Sequence, residues 1–375
     1  MTFSTLALVI ALGLCGPLLA VRRSWHVPVI LGELVAGILF GTTGFGILHA
    51  SDPLFTFLAD MGFALVMFVA GTHVPVRDPA VRSALGQGAA RAVLVGLLAA
   101  AAGFGIARWF DTGHGAVYAV LMASSSAALV LPITDALGLG GKPLLALTAQ
   151  VAIADTACVI ALPLVIDPAN AGRAAVGAAA VAAAAVVLFL VLRRSELSGA
   201  RRRMHRLSED RGFALELRVS LAILFALCAL ATQTHVSIML AGFAAGLAVA
   251  GIGEPRRVAR QLFAINDGFL GPLFFVWLGA RLDLREFGAH PRLILLGLAL
   301  GLGTILLHLA TRVTGQPFAY GTLAAAQIGV PIAAVTIGSE LHVLLPGEGS
   351  ALMLGALCTI AAAAFAAGRI AARAA

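Results

Sequence analysis

Asp155 is the residue in this chain with the clearest capacity for chemistry. It stands in the middle of the apolar stretch Gln150-Val151-Ala152-Ile153-Ala154-Asp155-Thr156-Ala157-Cys158. An ionisable group held that far from water is costly and normally faces a cavity, a pathway or a partner. A carboxylate there can be neutral with a proton bound and ionised when a cation takes the proton's place. One site with two mutually exclusive ligands is the simplest way to couple cation movement to proton movement. The structural alternative is a permanently protonated Asp155 hydrogen-bonded between helices.

Two further groups lie inside apolar stretches. Glu33 follows Gly32 near the start of its stretch, where a carboxylate can satisfy a helix N-terminus; it reads as a structural carboxylate. His308 could titrate near neutral pH, or it could be a hydrogen-bonded packing residue. Two stretches also carry signs of interrupted helix. Ser124-Ser125-Ser126-Ala127-Ala128-Leu129-Val130-Leu131-Pro132 combines hydroxyls with a proline, and Gln327-Ile328-Gly329-Val330-Pro331 does the same with an amide. Proline removes a donor and frees a carbonyl, and broken helices at the bilayer midplane are where transporters hold ions. Ordinary proline kinks are the alternative.

The elements that carry these residues are membrane spans. Of the 375 residues 60% are hydrophobic and 11% charged, against about 25% charged in a soluble domain. A water-soluble core cannot absorb that apolar surface, whereas lipid tolerates it. Stretches of about 20 apolar residues occur at 2–21, 27–48, 53–73, 83–109, 115–137, 143–166, 173–192, 213–232, 236–252, 267–284, 291–313, 318–341 and 350–369. An all-α polytopic membrane protein of about 13 spans is expected. The net charge of +7 then serves topology rather than nucleic acid. Twenty of the 25 basic residues fall with the odd-numbered connections, among them Arg77, Arg82 and Arg91. The positive-inside rule therefore puts the N-terminus outside and the C-terminus in the cytoplasm. The start of the chain lacks the basic n-region of a cleavable signal, so the first stretch reads as a retained span. Cys15, Cys158, Cys228 and Cys358 have no paired spacing and read as buried small hydrophobes.

The basic linker at 193–212 divides the chain into similar halves, 1–192 and 213–375. It reads as a cytoplasmic connection, with an anionic-lipid patch as the other reading. Leu31-Gly32-Glu33-Leu34-Val35-Ala36-Gly37 is echoed by Leu240-Ala241-Gly242-Phe243-Ala244-Ala245-Gly246. Asp60-Met61-Gly62-Phe63 and Met67-Phe68-Val69-Ala70-Gly71 are echoed by Asn266-Asp267-Gly268-Phe269 and Phe275-Val276-Trp277-Leu278-Gly279. Both echoes have an offset of about 208 positions, and an odd number of spans between copies makes them two inverted repeats,.

At this level the chain resembles the monovalent cation:proton antiporters, in the branch of the Kef-type and Nap-type exchangers. Ile30-Leu31-Gly32-Glu33-Leu34-Val35-Ala36-Gly37-Ile38-Leu39-Phe40-Gly41 looks like their second span, and Ser125-Ser126-Ala127-Ala128-Leu129-Val130-Leu131-Pro132 their unwound helix. Ala152-Ile153-Ala154-Asp155 is similar to their ion-site helix, and Phe269-Leu270-Gly271-Pro272-Leu273-Phe274-Phe275-Val276-Trp277-Leu278-Gly279 is a further match. The resemblance implies a dimerisation domain beside a mobile six-helix core, crossed discontinuous helices next to the aspartate, homodimers and elevator-like movement. Two positions depart from the pattern. Ala154 stands where the family usually has Asn, Asp or Gln, and Gly301-Leu302-Gly303-Thr304 stands where a Lys or Arg is common.

The expected function is a secondary antiporter exchanging Na+ or K+ for H+ in a bacterial inner membrane, not an enzyme and without cofactor or nucleic-acid partner. Asp155 is the ion and proton site, Ser125, Ser126, Thr156 and Gln327 its supporting oxygens, and His308 a possible second titrating group. One carboxylate handling one charge implies electroneutral exchange. The other readings are a ligand-gated, channel-like efflux protein and a non-transporting sensor or scaffold with a degenerate site.

Overall fold

The computed structural model describes residues 1–21, 29–74, 77–198, 213–234, 236–253 and 256–374. In chain order its principal helices are α1 (Phe3–Ala20), α2 (Val29–Phe40), α3 (Pro53–Thr72), α4 (Leu85–Phe110), α5 (Gly115–Ala123), α6 (Ala127–Ala136), α7 (Lys142–Ile166), α8 (Ala171–Leu197), α9 (Leu215–Gln233), α10 (Ile238–Ala250), α11 (Gly271–Arg281), α12 (Arg292–Leu309), α13 (Phe318–Ala324), α14 (Gly329–Glu340) and α15 (Glu348–Ala374). Among the described residues nine helical segments are long and apolar enough to cross a membrane and four shorter ones are apolar. They coincide one for one with the thirteen spans read from the sequence. Polar backbone has no partner in lipid, so helix is the form such stretches must take.

Boundaries shift where local chemistry overrides apolar run length. The second span stops at Phe40, because the following Gly41-Thr42-Thr43-Gly44 turns the chain back on itself. The seventh continues to Leu197, five residues into the basic linker, since Arg193, Arg194 and Glu196 are good helix formers,. The rest of that linker, 199–212, lies outside the described residues.

The chain forms two compact units, each drawing segments from both sides of the linker. One comprises residues 1–56, 78–168 and 275–375 and contains α1, α2, α4 to α7 and α12 to α15. The other comprises residues 57–77 and 169–274 and contains most of α3 together with α8, α9 and α10.

In the first unit α4 shows how the packing is coded. Arg91, Val95, Ala99, Gly103 and Ala107 recur every fourth residue and are buried, while Val93, Leu97 and Phe104 are exposed. Ala99, Gly103 and Ala107 in this stripe, and Gly88 before it, are small and buried, which brings backbones together without a side chain between them. A methyl at Gly103 would lie 2.5 Å from the Ala119 amide of α5, and one at Gly88 2.7 Å from the Gln150 amide of α7. Neither position tolerates a Cβ.

The sequence echoes reappear as packing. In the first unit a methyl at Gly37 would lie 2.2 Å from the Val276 carbonyl oxygen and 2.9 Å from the Gly279 Cα. In the second, a methyl at Gly246 would lie 2.1 Å from the Phe68 carbonyl and 3.0 Å from the Gly71 Cα. Gly246 corresponds to Gly37, Val276 to Phe68 and Gly279 to Gly71 in the echoed motifs. The same glycine contact is made twice, with the same atoms.

Candidate ion site

Asp155 lies near the middle of α7 and is 5% exposed. Its carboxylate accepts a hydrogen bond at 3.0 Å from the backbone N–H of Ala127, the first residue of α6. The fifth span is broken just before that point. Ser124, Ser125 and Ser126 are non-helical, and the first amides of α6 therefore lack helical acceptors,. The carboxylate satisfies one of them at the positive end of a half-helix dipole.

The twelfth span breaks in the same way at 325–328, between α13 and α14. The two breaks meet. The Ser126 amide donates to the Ala326 carbonyl at 2.8 Å, and the Ser125 hydroxyl to the Ala324 carbonyl at 2.6 Å. Ser124 donates its hydroxyl to the Gln327 side-chain oxygen at 2.6 Å. The prolines themselves sit beyond the breaks, inside α6 and in the first turn of α14. Pro331 lacks the N–H that would reach back four residues, which releases the Gln327 carbonyl at the break itself,.

The expected residues are thus brought together to different degrees. Asp155 on α7 and Ser125, Ser126 and Gln327 in the two breaks are all buried. Thr156, the next residue on α7, is half-buried. His308 is buried on α12 with its Nδ1–H donating to the Thr304 carbonyl at 3.0 Å, and its Nε2 is 3.5 Å from the Ser125 hydroxyl. Thr304, in the stretch where the resembled family carries a basic residue, lies 3.5 Å from the Gln327 amide nitrogen. Glu33 is buried where α2 packs on α1, and a methyl at Gly16 would come within 2.8 Å of its Cγ. The four cysteines are unpaired.

Sequence reasoning missed a second polar cluster in the same unit. Glu348, the first residue of α15, is 0% exposed. It accepts hydrogen bonds from the Tyr118 hydroxyl at 2.5 Å, from His114 Nδ1 at 2.8 Å and from the Leu345 amide at 2.8 Å. The Glu348 carboxylate raises the affinity of the His114 imidazole for its proton above the ordinary value, against a smaller opposing effect of burial. The cluster ties the start of α5, which leads into one break, to the segment that follows α14, which leads out of the other. No spacing in the sequence joins positions 114, 118 and 348, so nothing short of the fold could reveal it.

Interrupted helices that meet in mid-membrane are a recurrent feature of secondary transporters, and here they meet beside a buried carboxylate. The particular family follows from comparison. The model of the sodium/hydrogen exchanger transmembrane family matches residues 7–372, and the chain belongs to that family. A Bacillus subtilis protein that carries the name of a Na+/H+ antiporter is 25% identical over 94% of this chain and 61% of its own length. A Methanocaldococcus jannaschii protein named as a Na+/H+ antiporter is 25% identical over 86% of this chain and 85% of its own. The chain thus spans about three-fifths of the first relative. The solved sodium proton antiporter of M. jannaschii at pH 8 has the same fold, with a TM-score of 0.68 and 15% identity over 99% of this chain and 98% of that one.

Proposed function

We propose that this protein exchanges Na+ or K+ for H+ across a bacterial inner membrane, with Asp155 binding the proton and the cation in turn. The observation that carries this reading is the buried Asp155 carboxylate on the first amide of a half-helix, beside two helix breaks. Ser125, Ser126, Thr156 and Gln327 are the neutral oxygens of the site, a set suited to a hard monovalent cation. With one carboxylate exchanging one charge for another, transport is electroneutral. His308 donates its Nδ1–H to a backbone carbonyl, which fixes the orientation of its ring, and it is the possible second titrating group of the site.

The two compact units supply the bodies for an elevator-type movement in a homodimer. The glycine contact made twice supports the division into inverted repeats at 1–192 and 213–375, and the charge bias supports an outside N-terminus and cytoplasmic C-terminus.

The test is a cation series in everted vesicles carrying a pH dye. Na+, K+ or Li+ should dissipate a preset proton gradient, Asp155→Asn should abolish the response, and clamping the membrane potential should leave it unchanged. Full exchange by the Asp155→Asn protein would overturn the assignment. Single-channel currents would favour a channel, and silence with every cation a sensor or scaffold.

A further inference from the structure

Arg91 lies in the second turn of α4, on the buried stripe of that helix, and is 2% exposed. The sequence had counted it with the arginines of the third connection; the structure folds it into the protein. Its hydrogen-bond partners among the described residues are both on Thr314. Nε donates to the Thr314 hydroxyl at 2.9 Å and Nη2 reaches the Thr314 carbonyl at 3.5 Å. Both acceptors are neutral. Nη1 is buried and has no acceptor among the described residues.

Two residues past Thr314, beyond the left-handed Gly315 (φ +79°), stands Gln316. It is also 2% exposed, and among the described residues neither its side-chain nitrogen nor its oxygen has a partner. Orphaned amides and guanidinium nitrogens inside a protein are rare, because each forfeits its bonds to water without replacement. A guanidinium is always protonated and carries a full charge, so its burial demands an anion more strongly than the burial of an amide does. The same turn, from Ala310 to Thr314, presents an exposed Arg312 beside Val313, which is 83% exposed.

We propose that Arg91, Gln316 and the turn around Thr314 form a binding site for a phosphate-bearing anion. The planar guanidinium suits a tetrahedral oxyanion, which it can grip through two parallel N–H groups. The Gln316 amide adds a donor that a halide or a carboxylate would use less fully. Two sources offer this chemistry, the headgroup of an anionic phospholipid and free inorganic phosphate. The exposed Val313 next to the site is the place an acyl chain would lie if the ligand is a lipid. The site uses none of the residues around Asp155, and its existence does not depend on the transport reaction.

The test uses the full-length protein in neutral detergent and follows its unfolding midpoint during titration. One arm adds phosphatidylglycerol, a second phosphatidylcholine and a third inorganic phosphate. A ligand that binds the folded state raises the midpoint in a concentration-dependent way. The wild-type midpoint should rise with phosphatidylglycerol or phosphate, the responding arm identifying the source, and not with phosphatidylcholine. In Arg91→Gln the apparent affinity should fall at least about tenfold, with a smaller fall in Gln316→Leu. Should Arg91→Gln not fold, Arg91→Lys keeps the charge but loses the fork and should also bind more weakly. Equal responses to phosphatidylglycerol and phosphatidylcholine with none to phosphate would overturn the proposal. So would wild-type affinity in the foldable Arg91 variant.

Discussion

Replacing His114 with Gln should destabilise the protein at low pH and leave it nearly unchanged at high pH. His114 Nδ1 lies 2.8 Å from a Glu348 carboxylate oxygen that is itself completely buried. A hydrogen bond with a charged partner is worth roughly 1.5–3 kcal/mol net. The imidazole side chain is 20% exposed, which screens the interaction, so about 1–2 kcal/mol is the appropriate expectation.

The direction with pH follows from the raised proton affinity of His114. Its contribution is fully present below the ordinary histidine value of 6.5 and is lost as pH rises through the higher folded-state value,. Detergent-solubilised wild type and His114→Gln should be compared by thermal unfolding from pH 6 to pH 9 at one scan rate, since membrane proteins of this size commonly unfold irreversibly. A gap of about 1–4 °C at pH 6 should narrow steadily toward pH 9. Glu348→Gln should lower the His114 titration midpoint seen by NMR to 6.5 or below, since it removes the charge that raises it. A gap constant across the range would mean that His114 acts by packing alone. A gap that widens with pH would contradict the sign of the coupling.

Asp155→Asn keeps an acceptor for the Ala127 amide and should lose only about 1 kcal/mol of stability while abolishing exchange. Asp155→Ala leaves that amide buried without a partner and should cost about 1–3 kcal/mol more; thermal unfolding of the two variants separates the helix-capping role from the ionic one. Gly37→Ala and Gly246→Ala each push a methyl to within 2.2 and 2.1 Å of a backbone carbonyl, and should lower stability by about 1–3 kcal/mol. Gly96→Ala in α4, where a methyl meets nothing within 4 Å, should instead be neutral or stabilising by up to about 1 kcal/mol. Gln327→Leu removes the acceptor through which the Ser124 hydroxyl joins the two breaks, leaving it the Leu121 carbonyl, and vesicle assays should show a raised apparent KM for the cation with expression retained.

The sequence alone determined the spans, because in lipid a long apolar stretch has no structure open to it but a helix. It made Asp155 stand out as a buried carboxylate, since the cost of burying a charge is conspicuous in a run of Ala, Val and Ile. It also showed the glycine echoes at a shared offset, although not that Gly37 meets Gly279 and Gly71 meets Gly246. The positions of the helix breaks were legible only approximately. Proline marks a freed carbonyl four residues upstream, so Pro331 points to Gln327, while the chain leaves the helix at the serines well before Pro132,.

Partners distant along the chain were left to the tertiary structure. Nothing in the runs around Ala127 and Asp155, Ser124 and Gln327, or His114 and Glu348 specifies these pairs. Which side chains meet depends on helix rotation and register, and those are fixed by where small residues let backbones approach. Arg91 is the sharpest instance. By charge bookkeeping it was one more arginine near a connection, and only the ladder of Val95, Ala99, Gly103 and Ala107 packed against its neighbours turns it inward. Asp155 could be recognised as a buried carboxylate from its own neighbours; that it closes the first turn of a broken helix could not.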